Sequence, residues 1–199
     1  TNNIPVVPDD NDDLRMVVFN NSTEWAIYGY ALFGASTNNG GLYLEGDPST
    51  PGDQATFFAY EDVPERPIFD IWNLRHEYMH YLDGRFITQG DFYDVNGAGR
   101  TVWYGEGVAE YISRRDCNDE AAAAAANATY PLSTILSNEY GVGQDRIYTW
   151  GYLAVRFMFE NHVEEYRQLA HFLKTDFFDG YKKLLDESGQ QYQTEFSAW

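Results

Sequence analysis

The sequence predicts an α+β fold, a small mixed β-sheet followed by a mainly helical half, on three observations. Runs of strand character fall within about the first sixty residues: Met16-Val17-Val18-Phe19, the alternation of Leu42 and Leu44, and the aromatic-rich stretch 55–60. Beyond them, apolar residues recur at spacings of three and four, the period of a helix. No internal repeat is visible, so the expected architecture is a sheet and a helical layer with one cleft between them. At 199 residues the chain is long enough to bury a substantial core as a single domain. Within it, about 1–83 would form the sheet and the first motif-bearing helix, and about 84–199 the helical half.

Each element has a local cause. Residues 1–13 are polar and contain proline, and are expected to be a loosely held lead-in. The strand at 15–19 precedes Asn21-Ser22-Thr23-Glu24, which offer N-cap oxygens to a helix reaching about Phe33. Trp25, Tyr28 and Leu32 lie at helical spacing in it, and Gly34 is its natural stop. Asn38-Asn39-Gly40-Gly41 reads as a turn into a strand through Leu42, Tyr43 and Leu44, and the paired glycines mark a backbone that another group approaches closely. After a proline-containing turn at 47–52 and the strand at 55–60, Pro67 is placed to open a helix. Ile68, Ile71, Leu74, Tyr78 and Leu82 give that helix an apolar stripe, and Gly84 would end it. Residues 89–100, with Gly90, Gly97 and Gly99, read as an irregular loop. Further helices are expected around 103–111, 148–159 and 181–185, with the alanine run 121–126 a helical or linking segment and a polar tail at the C-terminus.

Composition removes several classes of function. Thirteen basic against 31 acidic residues give a net charge of −18, which argues against a nucleic-acid partner. No run of about 18 apolar residues occurs, so no membrane span is expected. Cys117 is the single cysteine, which excludes an intrachain disulfide, and it reads as a tolerated free thiol.

The chemistry is concentrated in His76-Glu77-Tyr78-Met79-His80. On a helix, residues four apart share a face, so both imidazoles can reach one metal ion. Two histidines fill part of a zinc site and leave room for a further ligand and a reactive water, from which Glu77 can take a proton. A further ligand is available 26 residues beyond His80, at Glu106. Glu106 and Glu110 share one face of a second helix, so that one carboxylate can bind metal while the other accepts the free N–H of a ligating histidine. Gly105 and Gly107, costly in a helix, indicate close approach of another element there. Peptide hydrolysis is the reaction this set implies.

The run HEYMHYLDGRF followed by TVWYGEGVAEYIS resembles the bacterial collagenases, specifically the Vibrio-type branch of these gluzincin metalloproteases, and the likeness extends over roughly 37–160. It implies a thermolysin-like architecture and a zinc endopeptidase acting on collagen or gelatin chains. By that resemblance His76, His80 and Glu106 are the zinc ligands, Glu77 is the general base, and Glu110 orients a ligating histidine. Tyr152, a better match than Tyr148, is the expected oxyanion donor. Glu45 would bind calcium, and Gly40, Gly41, Leu42 and Tyr43 would line an edge strand on which an extended substrate pairs. The resemblance further implies secretion, and activator and binding domains in the full-length protein. Two other readings are an inactive, zinc-stabilised relative that binds extended peptides without cutting them, and a zinc hydrolase of non-peptide substrates. The presence of Glu77 disfavours the first, and the edge-strand motif the second.

Overall fold

Phe57, Phe58 and Ala59 are all buried at consecutive positions, which an extended strand allows only where both of its faces are covered. They belong to β3 (Thr56–Tyr60), the middle strand of a three-stranded sheet of order β1-β3-β2. The computed structural model describes residues 4–8, 10, 13–38, 40–62 and 69–199. Asn39, Pro67, Ile68 and much of the polar lead-in lie outside them. The chain divides into two compact units, Val7–Leu82 and Asp83–Trp199, the second joined by the first residues up to Val6.

In the first unit, β1 (Arg15–Phe19) runs parallel to β3, with Arg15 opposite Thr56, and β2 (Leu42–Leu44) runs antiparallel to it, with Leu42 opposite Phe58. The sheet is therefore mixed, as expected, and all three strands fall where the sequence puts them. Helix α1 is built from Ser22–Glu24, a π-helical turn Trp25–Gly29, and Tyr30–Phe33. Asn21 caps it by accepting the Glu24 N–H, and Gly34 closes it in the left-handed conformation at φ 66°. The π-turn, which the sequence reading does not anticipate, widens the helical period to more than four residues. It presents Trp25 to the sheet, stacked on Phe58 at 5.9 Å, together with buried Gly29. Tyr28 and Leu32, placed on the buried stripe by ordinary spacing, are exposed instead. Val17, Phe19, Leu42 and Tyr60 pack around the core of Trp25, Ala35 and Phe58.

Helix α2 (Leu74–Phe86) carries the HExxH run. It starts later than Ile71, which instead bridges Glu61, while the Trp72 N–H donates to Tyr60 O. It also runs through Gly84, because Asp83 closes the end: its carbonyl accepts the N–H groups of Ile87 and Thr88, and its Oδ2 accepts the Thr88 hydroxyl.

The second unit is helical. The stretch expected to be an irregular loop forms α3 (Phe92–Gly99), whose glycines lower helix propensity but whose Val95 is buried. Asn96 donates to Phe92 O and accepts from the Thr101 hydroxyl. Helix α4 (Val102–Arg114) is followed by α5 (Asp119–Ala125), capped by Asn118, and the short α6 (Leu132–Ile135). Helix α7 joins a π-helical turn, Asp145–Thr149, to Trp150–Asn161, and its Leu153, Phe157 and Met158 are core residues, as their spacing predicts. Helices α8 (Val163–Lys174), α9 (Phe178–Gln191) and α10 (Gln193–Ala198) complete the chain. The polar tail is thus helical, held by buried Phe196 against Phe157 and Trp150. Among the described residues no helix is long and apolar enough to cross a membrane.

Candidate metal centre

The helical geometry of α2 brings His76 and His80 together as the four-residue spacing requires. Their Nε2 atoms lie 3.0 Å apart, with the rings nearly perpendicular. Two imidazoles on a tetrahedral zinc at ~2.0–2.1 Å would hold their nitrogens about 3.3 Å apart, so the pair fits one ion with a small adjustment. His76 and Glu77 are buried and His80 half-buried. The Glu77 carboxylate is held at Oε1 by the Asn73 side-chain amide, at 3.2 Å.

The glycine pair before β2 is also explained within this unit. A Cβ at Gly40 would lie 2.4 Å from the Trp72 ring, and one at Gly41 3.1 Å from the Phe58 carbonyl. Trp72 in turn stacks on Tyr60 at 5.6 Å. The close neighbour that the glycines admit is therefore the protein's own tryptophan and strand. They deliver Leu42, Tyr43 and Leu44 to the edge of the sheet.

In the second unit, Glu106 and Glu110 are buried on α4, at 5 % and 9 % exposure. Ionising a carboxylate at such depth is costly unless hydrogen bonds or a cation compensate. Glu106 Oε1 accepts the Tyr140 hydroxyl at 2.5 Å, and Glu110 Oε2 accepts Arg114 Nε at 3.0 Å. Gly107 is where α4 meets α7: a Cβ there would lie 2.5 Å from the Gly151 carbonyl. Gly105 faces open space, so close approach holds for one of the two glycines.

Among the described residues one group of three could hold a metal ion, His76, His80 and Glu106, with a donor atom from each lying within 4.8 Å of the others. The set of two imidazoles and one carboxylate suits zinc. Glu45, half-buried just after β2, belongs to no such group among the described residues.

A family model described as collagenase, Peptidase M9, matches residues 1–199. The chain belongs to the collagenase family of peptidases. Collagenase-family relatives include the microbial collagenase of Vibrio alginolyticus, 43% identical over 197 residues, and that of Vibrio parahaemolyticus, 40% identical over 199 residues. These matches cover 98% and 100% of this chain but 24% of each relative's length. A more distant collagenase, ColT of Clostridium tetani, is 31% identical over 194 residues, covering 90% of this chain and 19% of its own. The chain thus spans about a quarter of the Vibrio collagenases it matches.

Tyrosine 152 sits deep in this collagenase-family chain, 1% exposed. Its hydroxyl donates to the Arg115 carbonyl at 2.5 Å and accepts from Arg156 at 3.2 Å. Tyr140, which the sequence reading does not single out, places its hydroxyl on a candidate ligand. His162 stacks on Tyr192 at 3.6 Å and contacts Glu195, and His171 is exposed. Cys117 is an exposed free thiol.

Proposed function

We propose that the chain is the catalytic module of a zinc-dependent endopeptidase that hydrolyses collagen-derived chains, gelatin and collagen-like peptides. The observation that carries the reading is the convergence of donor atoms from His76, His80 and Glu106 within 4.8 Å, with Glu77 adjacent to one of them on α2, in a chain of the collagenase family. When bound, zinc would supply Lewis acidity, lowering the pKa of a water towards about 7.

The residues do the rest. Glu77 accepts a proton as the water oxygen bonds to the scissile carbonyl carbon, and gives it to the departing nitrogen as the C–N bond breaks. Tyr140 takes the oxyanion-donor role in preference to Tyr152 because its hydroxyl stands at a candidate metal ligand; its one O–H proton, given to Glu106 in the free chain, would turn to the oxyanion. Glu110 orients a ligating histidine. The edge strand Leu42–Leu44, entered through Gly40 and Gly41, offers backbone groups with which an extended substrate can pair. Glu45 is proposed as a calcium ligand of the full-length, secreted protein. A triple helix buries each strand among three chains, so an edge strand can engage only an opened one. Cleavage of native collagen is accordingly assigned to the longer protein with its activator and binding domains.

Metal analysis of the purified chain, with gelatin digestion before and after chelation, tests the reading. One zinc per chain and chelator-sensitive cleavage are expected. A chain that binds no zinc, or that cuts equally well after chelation, overturns it.

A further inference from the structure

Asn73 stands immediately before α2 with φ 56°, a left-handed conformation that asparagine tolerates better than most residues with a Cβ. Its carbonyl accepts the N–H groups of His76 at 3.1 Å and Glu77 at 3.2 Å, so it opens the helix that carries both. Its side chain turns along that helix and donates from the amide nitrogen to Glu77 Oε1. Only the NH₂ end of the amide can donate to an ionised carboxylate, which sets its orientation. The Gly41 backbone also lies close, since a Cβ there would sit 3.5 Å from the same oxygen. Glycine would satisfy the backbone at position 73 at least as well. The asparagine adds the amide, and the amide is spent on Glu77.

We propose that Asn73 is the positioning residue of the general base: by holding Oε1 of Glu77 it turns Oε2 towards the water to be deprotonated. The proposal rests on the zinc-peptidase reading above. It assigns to one residue both the start of the motif helix and the aim of its carboxylate.

Two variants separate backbone from amide. Asn73→Gly keeps the left-handed turn and removes the donor; Asn73→Asp keeps the shape and puts a second carboxylate where the donor was. With a gelatin-like peptide, kcat should fall about tenfold in Asn73→Gly and further in Asn73→Asp, with KM and zinc content as in the parent chain. A readout independent of turnover is a double-mutant cycle with Glu77→Ala on the metal-free protein. The urea midpoint of the combined variant should shift by less than the two single shifts together, because each change removes the same bond. Unchanged kcat in Asn73→Gly, a loss confined to KM, or additive midpoints would each overturn the proposal. If the parent chain itself lacks zinc or chelator-sensitive turnover, the zinc-peptidase reading fails and the proposal falls with it.

Discussion

The Tyr140 hydroxyl donates to Oε1 of Glu106 across 2.5 Å, joining the segment after α6 to the face of α4 that carries the candidate ligand. The Tyr140 ring rests against Phe92 of α3, with centroids 5.6 Å apart. Tyr140→Phe should keep the zinc and lower kcat by ~10²–10³, the usual effect of losing an oxyanion donor. Tyr152→Phe should leave kcat near that of the parent and cost about 1–2 kcal/mol of stability, through its bonds to Arg115 and Arg156. Steady-state kinetics and urea unfolding on both variants check the pair, and the reverse pattern would return the role to Tyr152.

The three glutamates of the motifs should separate by phenotype. On the proposed roles, Glu77→Gln should retain metal, because His76, His80 and Glu106 remain, yet lose nearly all turnover for want of a proton acceptor. Glu106→Ala should release zinc readily if Glu106 is the third ligand proposed. Glu110→Ala, losing only the orienting contact proposed for it, should weaken zinc binding or activity by ~10–100-fold. Zinc titration of the three proteins beside gelatin assays decides it, and equal metal loss from Glu106→Ala and Glu110→Ala would remove the distinction between them.

Two neighbouring glycines of α4 should respond with opposite sign. Gly107→Ala places a methyl 2.5 Å from the Gly151 carbonyl and must push α7 away, costing at least ~1–3 kcal/mol. Gly105→Ala enters open space and should be neutral or stabilising by up to ~1 kcal/mol, the helix-propensity gain. Thermal melts of the two variants make the comparison.

Alkaline titration should destabilise the second unit. Burial pushes Tyr192 up to about 12, helped by its hydroxyl's bond to Glu165, and burial raises Tyr104, Tyr166 and Tyr181 as well. The folded state therefore keeps phenol protons that the unfolded chain, titrating near ~10, gives up sooner. These groups contribute fully below about pH 10, and stability falls as pH rises towards 12 and the folded Tyr192 titrates. Urea midpoints measured between pH 9 and 12 should decline, and Tyr192→Phe should make the decline shallower.

Much of this was legible because its causes are local. Asn21 and Gly34 bound α1 as a cap and a left-handed stop, and the HExxH spacing alone brings two imidazole nitrogens within 3.0 Å. The misses have tertiary causes. The start of α2 is displaced because Ile71 and Trp72 are tied to the end of β3, and Gly84 does not stop the helix because Asp83 takes over the terminal N–H groups. The glycine-rich stretch at α3 is helical despite its propensity, with Val95 buried and Asn96 bonded at both ends. Nothing local marks Tyr140 among 16 tyrosines, since its partner lies 34 residues away in sequence.

The π-turn in α1 has a colloidal consequence. From Trp25 to Phe33 the helix carries no charged side chain, and because the turn gives the sheet only a narrow stripe, Ile27, Tyr28, Tyr30 and Leu32 all face solvent. An oily surface of that kind favours adhesion between molecules. A net charge of −18 opposes such contact between copies of this chain, with a reach that shrinks to about 10 Å at 0.1 M salt and about 3 Å at 1 M. Adhesion through this greasy helix is thus opposed by the chain's own carboxylates and favoured by whatever neutralises or screens them.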